Sequence, residues 1–145
     1  MKIALPDLDA MDALGARIAD KLQAGDVVAL SGTLGTGKTT LARAIIAALG
    51  HEGEVPSPTY TILETYDGLR LPLVHADFYR LEDPSEVEEL GLDDYREGAA
   101  LLAEWPDQAG GFDHEAGCLA IALEKVGEGR EAVVTPGANW QSRWP

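Results

Sequence analysis

Gly32-Thr33-Leu34-Gly35-Thr36-Gly37-Lys38-Thr39 is the stretch on which the reading of this chain turns. Just upstream lies Val27-Val28-Ala29-Leu30, a continuous apolar run of the kind that forms a strand buried on both faces. Downstream, Leu41, Ile45, Ile46 and Leu49 give a helical face that ends at Gly50. Strand, glycine loop and helix in that order predict backbone N–H groups curled around one anion at the positive end of a helix. Lys38 then reaches the β- and γ-phosphates of a nucleoside triphosphate, and Thr39 offers a hydroxyl to Mg²⁺.

Outward from the loop, Met11, Leu14, Ile18 and Leu22 mark an amphipathic helix over Asp9 to Leu22, with Gly25 at its exit. After a Pro-Ser-Pro-Thr loop, Tyr60 to Leu63 and Leu71 to Ala76 read as strands of a hairpin about the Asp67-Gly68 turn. Ser85 and Glu88 have the spacing of a capping box for a short helix that Gly91 ends. Leu101-Leu102-Ala103 is a further buried strand leading to Glu104-Trp105-Pro106. Leu119 to Leu123 and Glu131 to Val134, about the turn at Gly127 to Gly129, predict a late hairpin at the sheet edges. Residues 1–135 are therefore read as one domain, and 136–145 as a poorly ordered tail with Trp140 and Trp144 loose or packed on the surface.

Composition narrows the function classes. A chain of 145 residues holds one core and leaves no room for a separate substrate domain. Its formal net charge of -14 argues against gripping a nucleic-acid backbone unaided, so any RNA role calls for a basic partner. Cys118 is the single cysteine, which excludes an internal disulfide and a cysteine zinc site and suits a reducing compartment. The first residues lack a signal peptide's apolar core, and no run approaches the ~20 apolar residues of a membrane span. A cytoplasmic protein with no membrane contact is expected.

Acids at the ends of buried strands are the candidates for the metal. Asp77 follows Leu73-Val74-His75-Ala76 and has that position. Glu104 follows the other strand, as a metal ligand, as a residue that orients water, or as neither. His75 reads as a satisfied histidine in preference to a catalytic one, and Arg80 as an ion-pair partner of Glu82 or Asp83. Thr59 has the setting of a switch-loop threonine, although any Pro-flanked Ser/Thr loop has the same look. No Asn-Lys-x-Asp motif accompanies the loop, because the only asparagine is Asn139, so ATP is preferred over GTP.

Taken in order, Gly32 to Thr40, Ser57-Pro58-Thr59-Tyr60-Thr61, His75-Ala76-Asp77-Phe78-Tyr79-Arg80-Leu81 and Glu104-Trp105-Pro106 closely resemble the TsaE family. That resemblance runs from about Ile3 to Val134 and implies a P-loop ATPase needed for threonylcarbamoyladenosine on tRNA. It implies an α/β fold with a mostly parallel central sheet, P-loop NTPase-like, flanked by helices and carrying a smaller antiparallel part. It also implies ATP at Leu34, Gly35, Thr36, Gly37, Lys38, Thr39 and Thr40, with Asp7 and Arg130 at base or ribose. Mg²⁺ falls to Thr39, Asp77 and Glu104, and catalysis to Lys38, Asp77, Glu104 and Thr59. The implied partners are the TsaB-TsaD pair, with tRNA met only through that complex. ATP is expected to order the loop from Ser57 to Thr61 for docking, and hydrolysis to reset it. Trp105 either packs this site or belongs to the core.

Two rival classes share the glycine loop. A small-molecule kinase normally adds an Arg-rich lid, and the arginines here are scattered with no long insert to carry one. A nucleotide-gated adaptor that never hydrolyses is separated only by turnover. One departure from the family is Thr33, where the loop commonly carries aspartate. Thr33→Asp is expected to weaken ATP binding about fivefold in calorimetry, from ~1 kcal/mol of repulsion at a solvated site; unchanged or tighter binding refutes this.

Overall fold

The computed structural model describes residues 1–33, 35–55 and 62–144. β1 (Lys2–Leu5) runs into α1 (Leu8–Lys21), whose first turn is capped by Asp7, with Oδ1 accepting from the Ala10 N–H at 2.9 Å. β2 (Val27–Ser31) and α2 (Lys38–Ala48) frame the glycine loop, as the apolar run and the helical stripe require. β3 (Leu63–Tyr66) and β4 (Leu73–Asp77) form the predicted hairpin; Tyr60 and Thr61 lie outside the described residues. Two five-residue helices, α3 (Glu86–Leu90) and α4 (Leu92–Arg96), lead to β5 (Ala100–Glu104). The long hairpin of β6 (Cys118–Val126) and β7 (Gly129–Pro136) follows.

Among the described residues the strands make one seven-stranded sheet in the order β1-β7-β6-β2-β5-β4-β3. Its middle, β6, β2, β5 and β4, is parallel, and each side is completed by antiparallel pairing. The expected α/β architecture is therefore present. Every residue of β4 and β5 is buried, because helices cover both faces of these strands.

The two-residue alternation of the strands divides the core. Val28, Leu30, Leu73, Ala100 and Leu102 pack on the face covered by α1 and α2. Val27, Ala29, Val74, Ala76, Leu101 and Ala103 pack on the opposite face with Leu92 of α4 and with Phe78 and Phe112. Continuing the alternation puts His75, Asp77 and Glu104 on the α2 face. Gly15 brings α1 against α2, since a Cβ there would lie 2.5 Å from the Ala44 Cβ.

Three expectations are corrected. The Ser85–Glu88 capping box does not form: the Ser85 side chain makes no cap bond, and its N–H instead donates to Asp83 Oδ1 at 2.9 Å, so a local turn wins over a helix of only five residues. The late hairpin is not at the edges, because β6 pairs with β2 and β1 covers β7; the edges are β1 and β3.

The tail from 136 is not loose. Trp140 has no exposed surface, its Nε1–H donates to Gly117 O at 2.9 Å, and Trp144 is buried beneath Arg17. Arg143 closes a two-bond pair with buried Asp26, at 2.7 and 2.9 Å, and stacks on the Trp140 ring. Two indoles removed from water and a buried carboxylate in need of a partner hold this segment against α1 and the start of β2. Trp140→Ala is expected to lower the unfolding free energy by about 3–5 kcal/mol in urea titrations; a change under a tenth of that range would mean a tail that does not pack.

Cys118, at the start of β6, has its thiol pushed up from 9.0 to about 11 by burial, with Asp113 and Glu115 adding to the rise. At pH 8 the thiolate population of the folded chain is then about a hundredfold below that of an open thiol. Iodoacetamide is expected to label Cys118 at least that much more slowly in the native chain than in urea. Equal rates would contradict the burial.

Candidate functional site

The site begins where β2 ends. Gly32 has φ +136, and a Cβ there would sit 2.5 Å from Leu123 O and 2.7 Å from Thr36 Oγ1, so only glycine lets the chain leave β2 beside β6. The buried Thr36 hydroxyl donates to Thr33 O at 2.9 Å and braces the loop from inside. Gly37, at the N-cap of α2, supplies no side-chain cap, and the first turn of α2 carries no acid. The helix end thus keeps N–H groups and a positive pole for an anion.

Lys38 folds back over this loop. Its Nζ donates to Gly32 O at 2.9 Å and Thr33 O at 2.8 Å and lies 4.4 Å from the centroid of the Trp105 ring. Burial lowers its pKa from the usual lysine value, while Glu104 and then Asp77 act in the opposite direction. Thr33 is exposed and takes part through its carbonyl, which accepts from both Lys38 and Thr36.

Facing the loop are the ends of β4 and β5. Their register sets His75 opposite Leu102 and Asp77 opposite Glu104. Glu104 Oε1 accepts from the Thr39 hydroxyl at 2.7 Å, and Oε2 lies 2.7 Å from His75 Nε2. Asp77 Oδ1 accepts from the Tyr79 N–H at 3.0 Å. Immediately after Glu104, Trp105 takes a left-handed conformation, φ 55 and ψ 53. This bend turns its ring over Lys38 and within 4.9 Å of the Tyr79 ring. A non-glycine residue in that region stores strain of the kind found at functional sites.

Lys38, Thr39, Asp77, Tyr79, Glu104 and Trp105 share one cavity of about 390 Å³, lined also by Gly35, Gly37, Thr40 and Arg130. A neighbouring recess of about 160 Å³ shares Gly37, Thr40 and Arg130 and adds Pro6, Asp7 and Met11. Arg130 joins the hairpin to the loop, its Nη2 donating to Gly35 O at 3.2 Å. Of the residues expected from sequence, those of the loop and helix start, both strand-end acids, Asp7 and Arg130 are thus gathered around two joined recesses; Thr36 serves the loop's interior. Leu34, Thr59 and the segment from Ser57 to Thr61 lie outside the described residues.

Sequence reasoning missed Tyr79 and left Trp105 undecided. The strand's alternation gives no signal for Tyr79, because β4 ends at Asp77 and Tyr79 lies in the turn beyond it, its N–H bonded to Asp77 Oδ1. The donor set, a hydroxyl and two carboxylates, fits a hard cation such as Mg²⁺. Among the described residues no group of three or more His, Cys, Asp or Glu could hold a metal ion by itself.

A parallel sheet core with a glycine loop between its first inner strand and the following helix defines an α/β protein of P-loop NTPase-like fold. The family model described as "Threonylcarbamoyl adenosine biosynthesis protein TsaE" matches residues 5–132, and the chain belongs to the TsaE family. It is 39% identical over 121 residues to the tRNA threonylcarbamoyladenosine biosynthesis protein TsaE of Haemophilus influenzae, covering 79% of this chain and 77% of that one. To the protein of the same name from Synechocystis it is 40% identical over 113 residues, 74% and 71% of the two chains. The crystal structure of Bacillus subtilis YdiB superposes with a TM-score of 0.80 at 29% identity, over 98% of this chain and 88% of that one.

Proposed function

We propose that this chain is the ATP-binding, slowly ATP-hydrolysing subunit required for threonylcarbamoyladenosine modification of tRNA, acting with the TsaB-TsaD pair. The observation that carries this reading is the convergence of Lys38, Thr39, Asp77 and Glu104 on one cavity at an uncapped helix N-terminus. In it, the loop N–H groups and α2 hold the phosphates, and Lys38 exchanges its loop carbonyls for phosphate oxygens. Thr39, Asp77 and Glu104 hold Mg²⁺, which when bound neutralises charge on the transferring phosphate. Glu104 orients the water that attacks the γ-phosphate, and the products are ADP and phosphate. Arg130 and Asp7 line the recess that takes ribose and base.

The family relationship supplies the pathway, since the relatives are named for tRNA threonylcarbamoyladenosine biosynthesis. The net charge of -14 supports a division of labour in which partners hold the tRNA and this chain supplies nucleotide turnover. Among the described residues no helix is long and apolar enough to cross a membrane. A cytoplasmic place, where tRNA is modified, is part of the same reading.

The test is ATP turnover by the purified chain, alone and with TsaB and TsaD, with Lys38→Ala as the blank. Turnover is expected to rise with the partners, to vanish in the blank and to fall at least about a hundredfold in Glu104→Ala. Wild-type turnover and tRNA modification by Glu104→Ala would refute the role of that residue. Tight ATP binding without turnover in either setting would make the chain a nucleotide-gated adaptor.

A further inference from the structure

His75 has no exposed surface, yet it is an ionisable side chain on a strand whose other inward positions are filled by apolar residues and Asp77. Its Nε2 lies 2.7 Å from Glu104 Oε2, and its Nδ1 has no hydrogen-bond partner among the described residues. A carboxylate only accepts, so the imidazole donates here, with its proton on Nε2. Leaving a buried Nδ1 unpaired carries a cost that an apolar side chain would avoid. The space alone does not call for histidine, whereas the carboxylate does.

Glu104 is held from two sides by different elements. Thr39, at the start of α2, donates to Oε1 at 2.7 Å, and His75, on β4, bonds Oε2. In the proposed function the Thr39 oxygen offers a lone pair to the metal while its O–H goes on donating to Oε1. No competing demand falls on the bond from His75. The parallel register that sets His75 opposite Leu102, two residues before Glu104, anchors the donor in the most buried part of the sheet.

We infer that His75 is a positioning residue: by donating from Nε2 to Oε2 it fixes the carboxylate of Glu104 and leaves Oε1 as the oxygen that acts at the reacting centre. This rests on the proposed ATPase reading. The fixed carboxylate meets the metal and the attacking water in one orientation, without searching rotamers at each turnover. The effect belongs to the chemical step and leaves the phosphate cradle of loop and Lys38 unchanged.

Two measurements test it. In the nucleotide-free chain, ¹⁵N-histidine spectra, assigned with His75→Gln, are expected to show His75 as the Nε2–H tautomer, with that resonance moved by Glu104→Gln. An Nδ1–H tautomer, or indifference to Glu104→Gln, overturns the inference. In turnover with the partners, His75→Met is expected to lower kcat by ~10- to 100-fold with nucleotide affinity within about twofold of wild type. His75→Gln, whose amide nitrogen reaches the place of Nε2, is expected to recover most of that loss. Wild-type kcat in His75→Met, or His75→Gln as slow as His75→Met at equal melting temperature, overturns it. If the wild type shows no turnover above Lys38→Ala, the ATPase reading falls, and the ¹⁵N spectra still decide whether His75 holds Glu104.

Discussion

One carboxylate joins the two halves of the site. Glu104 bonds Thr39 at the start of α2 and His75 on β4, so the helix that follows the glycine loop and the strands opposite it meet at a single side chain. The parallel register of β2, β5 and β4 allows this, since it brings the C-terminal ends of all three strands to one edge of the sheet. Glycine loop, acids and aromatic cover therefore gather at the carboxyl ends of the parallel strands, the edge where open α/β sheets present their ligands. A buried carboxylate is tolerated there because both its oxygens are bonded, and Lys38 lies close enough for mutual attraction.

The polar character of this pocket is set within a strongly apolar frame. Val74, Ala76, Leu101 and Ala103 face one core and Leu73, Ala100 and Leu102 the other. Only at the last turns of the alternation do His75, Asp77 and Glu104 replace hydrophobic residues on the α2 side. Trp105 and Tyr79 then screen the ammonium of Lys38 from one side, with the strained bend after Glu104 carrying the indole into place. Rigid strands thus hold the acids, while Lys38 and Thr39 ride on the helix end that follows the loop.

Legibility in the sequence followed the range of the interactions. The β2-loop-α2 unit was readable because its strand, glycines and helix are contiguous, and Asp77 and Glu104 because each follows a short run with the character of a buried strand. The alternation that turns His75 toward Glu104 was present in the residues but needed the register of β4 against β5 to acquire a direction, and Tyr79 is placed by a turn beyond the strand. The tail was misread because what orders it lies elsewhere in the chain: Gly117 for Trp140, Arg17 for Trp144 and Asp26 for Arg143. The spacing of Ser85 and Glu88 matched a capping box, yet a five-residue helix beside a stronger Asp83 turn gave the motif nothing to cap.

The pairing of β2 has a consequence for how the chain is made. Its two neighbours, β5 and β6, begin at Ala100 and Cys118, long after β2 itself has left the ribosome, and Thr39 meets Glu104 only across a separation of 65 residues. A growing chain therefore exposes a complete glycine loop while it still lacks its acids, and the pairs from Trp140 to Gly117 and from Arg143 to Asp26 close later than the pairing of β2 with β5. Such distant pairings delay cooperative folding until β5 and β6 are available. A chain that stops before β5 accordingly carries the glycine loop without Glu104 and without either parallel neighbour of β2.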